Sequence, residues 1–145
     1  MKFDECRARF GSARRAHLAT VGADQRPHIV PVVFDLTGDE VVVVVDHKPK
    51  RTTALRRLRN IGENPAVTFL VDAYSPDWDE LWWVRADGRA VVVDSGRVHA
   101  EAIERLSRRY VQYREVPPTG PVIVARITHW SGWAARPPAL HTPPW

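Results

Sequence analysis

Phe3, Cys6, Phe10 and Ala13 recur at helical spacing behind Asp4, and they predict a short amphipathic helix over about 3–13. The pattern then shifts to strands. Ala16 to Val21 reads as one, Gly22-Ala23-Asp24-Gln25 as a turn, and His28 to Leu36 as a second strand interrupted by Pro31. Proline has no ladder donor, so that strand belongs at an edge or carries a bulge. After the turn Thr37-Gly38-Asp39 comes an unbroken valine run, Val41 to Val45. Consecutive β-branched residues suit a strand buried on both faces.

A helix follows. Thr52 or Thr53 can cap it, Ala54, Leu55, Leu58 and Ile61 share one face, and Gly62 and Pro65 end it. Arg56 points nearly opposite that face, with Arg57 and Arg59 on the flanks. Ala66 to Tyr74 is a fourth strand. Past Ser75-Pro76-Asp77-Trp78-Asp79, the segment Leu81 to Val93 is a long strand with a kink expected at Asp87-Gly88. Val98, Ala102, Ile103, Leu106, Tyr110 and Tyr113 mark one face of a helix over about 98–114, and Val122 to Trp130 is the last strand. Short turns favour antiparallel pairing. The order predicts a mainly β (α+β) fold, a six-stranded antiparallel split β-barrel with flanking helices. One domain spans 1–136, and a Pro-rich tail occupies 137–145.

Length and composition agree with this. A chain of 145 residues can bury a core without disulfides, and the single cysteine, Cys6, excludes a disulfide framework or a Cys-rich zinc site. Cys6 itself reads as a small core residue. No apolar run approaches the ~20 residues of a membrane span. Met1 to Arg15 lacks the apolar stretch of a secretion signal, so a cytoplasmic protein is expected.

Charge changes the picture more. Lys48, Lys50, Arg51, Arg56, Arg57 and Arg59 fall within 47–62, which holds no acid, although the whole chain carries only +4. The basicity is therefore local, and the remainder is net acidic. The patch lacks interleaved aromatics, which argues against nucleic-acid binding. It also breaks a local rule. A helix N-terminus favours anions, yet Lys48, Lys50 and Arg51 stand just ahead of one. A bound phosphate would reconcile the conflict, held by backbone N–H groups, the cations and the Thr52 and Thr53 hydroxyls. A solvated basic loop is the plainer alternative. Arg56, Arg57 and Arg59 are either a solvated helix face or a grip on a longer anionic tail.

The chain at this point resembles the split β-barrel flavin and deazaflavin oxidoreductases related to pyridoxamine 5′-phosphate oxidase. It is most similar to the actinobacterial branch that uses the deazaflavin coenzyme F420. The matching pieces are His17-Leu18-Ala19-Thr20-Val21 with Arg26-Pro27-His28, Lys48-Pro49-Lys50-Arg51-Thr52 with Leu55 and Asn60, Asn64-Pro65, and Val71-Asp72-Ala73-Tyr74 with Asp77-Trp78. The resemblance implies a homodimer with a cofactor site at its interface. It places the cofactor phosphate at Lys48, Lys50, Arg51, Thr52 and Thr53 and the ring system along His28, Ile29, Val30, Pro31 and Val32. Arg56 would help hold the tail, and Trp78 would reach the partner's site. Pro31 stands where some relatives carry a polar side chain, so only its carbonyl could meet the ring. Six cations without an acid exceed what the single phosphate of FMN needs. They suit the phosphodiester and glutamates that the family's deazaflavin carries. The implied reaction is hydride transfer to a small electron-poor acceptor; FMN chemistry and a non-catalytic cofactor-binding role are the alternatives. No Ser-His-Asp or paired-carboxylate arrangement points to a dedicated acid or base.

The six histidines lack metal-site spacing, though His28, His47 and His129 could meet in space. Trp82 and Trp83 are adjacent on a strand and face opposite ways, one into the core and one toward an interface or pocket. Trp130 and Trp133 either wall the substrate side or pack under the tail.

Overall fold

A computed structural model describes residues 1–45 and 52–136, with residues 52–55 described by their backbone. Its elements are α1 (Phe3–Ser12), β1 (Ala16–Val21), β2 (Pro27–Val32), β3 (Asp35–Thr37), β4 (Glu40–Val44), α2 (Thr52–Glu63), β5 (Ala66–Ala73), β6 (Trp82–Val93), α3 (Gly96–Arg109), α4 (Val111–Glu115) and β7 (Val122–Ala134). A single 3₁₀ turn, Trp78–Glu80, joins β5 to β6. The Pro-rich tail lies outside the described residues. The strands form one antiparallel sheet in the order β2-β1-β5-β6-β7-β4-β3. No helix among the described residues is long and apolar enough to cross a membrane.

The two edge strands, β2 and β3, are consecutive in the chain. Val32 and Asp35 are three residues apart, so the edges cannot separate by more than roughly 11 Å there. The sheet must therefore curl until its edges nearly meet, which makes the split barrel. The strand expected over His28–Leu36 is thus two strands, and the sheet has seven strands where six were expected. Pro31 sits on an edge strand as its missing donor requires.

The corner between β2 and β3 is held from outside. Phe34 is fully buried and packs on Phe10 with the ring centroids 4.7 Å apart and the planes tilted by 53°. Its N–H donates to the Tyr110 hydroxyl at 3.2 Å, and that hydroxyl shares its own proton between the carbonyls of Phe34 and Arg14, each at 2.9 Å. Arg109 caps the same corner, its guanidinium 4.7 Å above the Phe34 ring and donating to the carbonyls of Gly11 and Ala13. This explains why the helix expected over 98–114 breaks. Tyr110 adopts extended angles (φ −119°, ψ 118°), and α4 restarts after it.

The valine run is buried on both faces as its composition demands. Val41, Val43 and Val45 join Phe10, Phe69 and Trp130 in the barrel core. Val42 and Val44 face the other way, against Ala102, Leu106 and Tyr110 of the α3 region. Arg105 secures the β3–β4 hairpin below, reaching Asp35 at 2.9 Å and Glu40 at 2.6 Å. The kink expected at Asp87-Gly88 is a register shift against β7. A Cβ on Gly88 would lie 2.2 Å from the Arg126 carbonyl, so only glycine fits.

The C-terminal half of α2 is docked on the β1–β2 turn. Asn60, nearly fully buried, donates to the Thr20 hydroxyl at 3.1 Å, and Glu63 accepts the Ala23 N–H at 2.7 Å. Gly22 leaves room for both; a Cβ there would meet Asn60 Oδ1 at 2.5 Å and Glu63 Oε2 at 2.7 Å.

Two outcomes test this frame. Tyr110→Phe strands the Phe34 N–H and should cost about 1–3 kcal/mol in urea denaturation. A loss below about 0.5 kcal/mol would show that the corner holds without the hydroxyl. Gly22→Ala should cost about 1–3 kcal/mol by displacing the Asn60 and Glu63 side chains from their hydrogen bonds, with amide exchange rising first along α2; uniform exchange rates would contradict the docking role.

Candidate functional site

The docking of α2 sets where its arginines go. Ile61 is buried and Leu58 packs on the core, so the helix phase is fixed and Arg56 and Arg57 are carried toward β2. From there their charges reach His28. Burial, and then the charges of Arg56 and Arg57, hold the His28 ring below its ordinary pKa, which favours the neutral ring. Burial likewise lowers the Arg57 guanidinium from its usual value. Arg57 is thus half-buried, with its Nε closed off from water.

The cluster lacks internal partners. Arg56 Nε, Arg57 Nε and His28 Nδ1 are buried with no hydrogen-bond partner among the described residues. Asp24 approaches Arg56 only to 3.7 Å, and Glu63 lies 4.0 Å from the exposed Arg59. Buried donors left unpaired are costly, and native proteins rarely leave them so without a functional reason. An oxyanion placed among these three side chains would accept from the arginines and favour a proton on His28. The residues therefore fit the anionic portion of a nucleotide-like cofactor. Lys48, Lys50 and Arg51 lie outside the described residues, as does His47. Thr52 and Thr53 form the first turn of α2, described by its backbone.

The remaining β2 candidates divide by strand alternation. Val30 and Val32 turn inward with His28, and Val32 is buried. Ile29 and Pro31 turn outward and are exposed. Ile29 lines a groove of about 710 Å³ on the outer face of the sheet, with Tyr74, Trp83, Arg85 and Trp133 among its walls. Large apolar groups stand open around it: Ile29 is 64% exposed and Tyr74 77%. Trp78 is 71% exposed on the 3₁₀ turn, whose Asp77 carboxylate accepts the Asp79 N–H.

The tryptophan pairs separate the same way. Trp82 packs on the core under the Arg9 guanidinium, 5.2 Å away, whereas Trp83 faces the groove with Arg85 at 5.8 Å. Trp130 is buried and donates Nε1 to Asp39 at 2.9 Å. Arg7 also bonds Asp39, at 2.7 Å, and together the two donors hold its carboxyl below the usual range. Trp130 is therefore structural and Trp133 is the groove residue. Cys6 is fully buried, which pushes its thiol pKa up. His28 and His129 do not converge: His28 is on β2, and His129, on β7, packs against the Phe3 ring of α1. Among the described residues no group of three His, Cys, Asp or Glu could hold a metal. Residue reasoning missed Arg14, Arg15 and Asp72 as cavity walls. Asp72 had a signal, a charge on the outward parity of a strand ending at the groove.

Known proteins with the same frame are varied. A conserved hypothetical protein of Mycobacterium tuberculosis superposes with a TM-score of 0.72 at 20% identity, covering 94% of this chain and 86% of that one. A FAD-binding protein from Mesorhizobium loti gives 0.70 at 18% identity, over 91% and 94% of the two chains. The haem storage protein HutZ of Vibrio cholerae gives 0.67 at 17%, over 90% of each. In sequence, a 5a,11a-dehydrotetracycline/5a,11a-dehydrooxytetracycline reductase of Streptomyces rimosus is 36% identical over 55 residues, 38% of this chain and 37% of that protein. The chain thus matches little more than a third of that reductase's length. The family model described as pyridoxamine 5′-phosphate oxidase matches residues 3–134, from the first turn of α1 to the end of β7. With the split barrel complete within that match, the chain belongs to the pyridoxamine 5′-phosphate oxidase family.

Proposed function

We propose that the protein is a cytoplasmic, homodimeric oxidoreductase that moves hydride between the deazaflavin coenzyme F420 and a small electron-poor organic acceptor, such as an alkene or quinone. The observation that carries this reading is the cluster of His28, Arg56 and Arg57, in which His28 Nδ1 and the two arginine Nε atoms are buried without a hydrogen-bond partner among the described residues. Lys48, Lys50 and Arg51, just ahead of α2 in the chain, extend the positive charge. One phosphate leaves much of that charge unmatched; a phosphodiester followed by carboxylates matches more of it. The partial likeness to a dehydrotetracycline reductase supports a reductive role.

The hydride chemistry is supplied by the coenzyme when bound. The chain contributes binding, orientation and exclusion of water. His28, Arg56 and Arg57, with Lys48, Lys50, Arg51, Thr52 and Thr53, would hold the anionic portion. Ile29 and the carbonyl of Pro31 would border the ring. The exposed apolar rim of Ile29, Tyr74 and Trp133 suits the face of a second protomer, which would roof the groove and bring its own Trp78. FMN is the second reading, supported by the FAD-binding protein among the structural relatives.

Following cofactor fluorescence while protein is titrated into F420, and separately into FMN, tests the proposal. Saturable binding of F420 that weakens with salt, with little response to FMN, is expected; preference for FMN would transfer the assignment to a flavin, and binding of neither would end it. Lys50→Glu and Arg57→Gln should each weaken F420 binding at least about tenfold, worth about 1.4 kcal/mol, without loss of fold by circular dichroism. Affinity should also depend on pH. The free protein holds His28 below its ordinary pKa, and a bound anion raises it, so binding takes up a proton. F420 affinity should therefore rise as pH falls from about 7.5 to 6, and His28→Gln should flatten that slope. A flat profile in the unmodified protein would remove His28 from the anion's contacts.

A further inference from the structure

The outer groove does not end at its aromatic walls. His17, Leu70, Asp72 and Trp82 also line a second cavity of about 710 Å³, so the two volumes meet along a common wall. Their chemistry differs. Ile29, Trp83 and Trp133 wall the groove, whereas Arg14 and Arg15, from the α1–β1 connection, and Gln112 of α4 wall the second cavity. Neither arginine has a carboxylate partner among the described residues, and Arg14 is steadied 5.2 Å above the Tyr110 ring. Asp72, on the common wall, is exposed and repels a second anion there.

We propose that the two adjoining cavities together take an amphipathic acid. Its flat apolar body would lie in the groove against the tryptophans, and its one carboxylate, or an equivalent oxyanion, would meet Arg14 and Arg15. The walls supply both halves of that recognition: aromatic faces for a planar body, and forked donors for an oxyanion. Asp72 confines the negative charge to the arginine end. This names the acceptor class for the site proposed above and rests on that reading.

Ligand-detected NMR titration of the full-length protein with 2-naphthoate and with neutral 2-naphthamide tests the inference. The carboxylate should bind at least about tenfold more tightly than the amide. The Arg14→Ala/Arg15→Ala double variant should bring the two within about twofold while leaving the affinity for the amide unchanged. The double lysine variant should retain part of the preference. Equal affinities in the unmodified protein, no binding of either probe up to about 10 mM, or a preference that survives the double alanine variant would each overturn the proposal. F420 and FMN titrations of the same proteins keep the two assignments apart. Selective naphthoate binding by a protein that takes neither cofactor defeats the oxidoreductase reading, and with it the acceptor role. Loss of cofactor binding in the double alanine variant gives the arginines to the cofactor and overturns this proposal alone.

Discussion

The structure depends on one corner. β2 and β3 are the two free edges of the sheet, yet they are joined by Val33 and Phe34 alone. Whatever sets the path of those two residues sets the closure of the barrel. The Tyr110 hydroxyl satisfies both backbone groups of Phe34, and the Phe34 ring fills the space between Phe10 and Arg109. A corner of this kind, with main-chain polar groups inside a core, is stable only if every donor and acceptor is met. The break between α3 and α4 is the conformational cost of bringing the hydroxyl there.

From that corner the rest follows in order. The closed side of the sheet collects Val41, Val43 and Val45, while Val42 and Val44 seat α3 on the outside. β4 thus sits between two apolar layers, and its end at Val45 is held by Pro121, whose carbonyl accepts the Val45 N–H at 2.8 Å. The chain then leaves the sheet and returns as α2. Asn60 and Glu63 tie that helix to the β1–β2 turn at its far end. Its near end carries the arginines that face His28. The frame therefore holds one end of α2 by hydrogen bonds to Asn60 and Glu63, and toward the other the buried Nε atoms of Arg56 and Arg57 have no hydrogen-bond partner among the described residues.

Much of this was legible in residue order, and the failures share a cause. The valine run, the edge position of Pro31 and the irregularity at Asp87-Gly88 are local properties, visible in composition and spacing. The division of His28–Leu36 was not, because Val33 and Phe34 are good strand formers and only closure of the sheet forces the bend. Likewise Tyr110 keeps the helical period that predicted one helix, and a partner 76 residues away overrides it. At the candidate site, the charge cluster could be read from position alone. The partial burial of Arg57 and the reach of its charge to His28 could not, because they depend on how α2 docks on β1 and β6. Arg14 and Arg15 gave no periodic signal, since they lie between elements.

Pro27 and Pro31 on β2 have a consequence for how this protein meets its neighbours. They share a parity, so both missing N–H groups fall on the same side of the strand. Proline is tolerated on an edge strand where its nitrogen faces away from the ladder. The free rim of β2 therefore offers Ile29 as a donor between two silent positions. An incoming strand would find too few bonds to extend the sheet, and runaway stacking of barrels edge to edge is blocked at little cost to the fold. Association along this side must instead proceed through side chains laid face to face, a mode in which shape and charge, not backbone pairing, choose the partner.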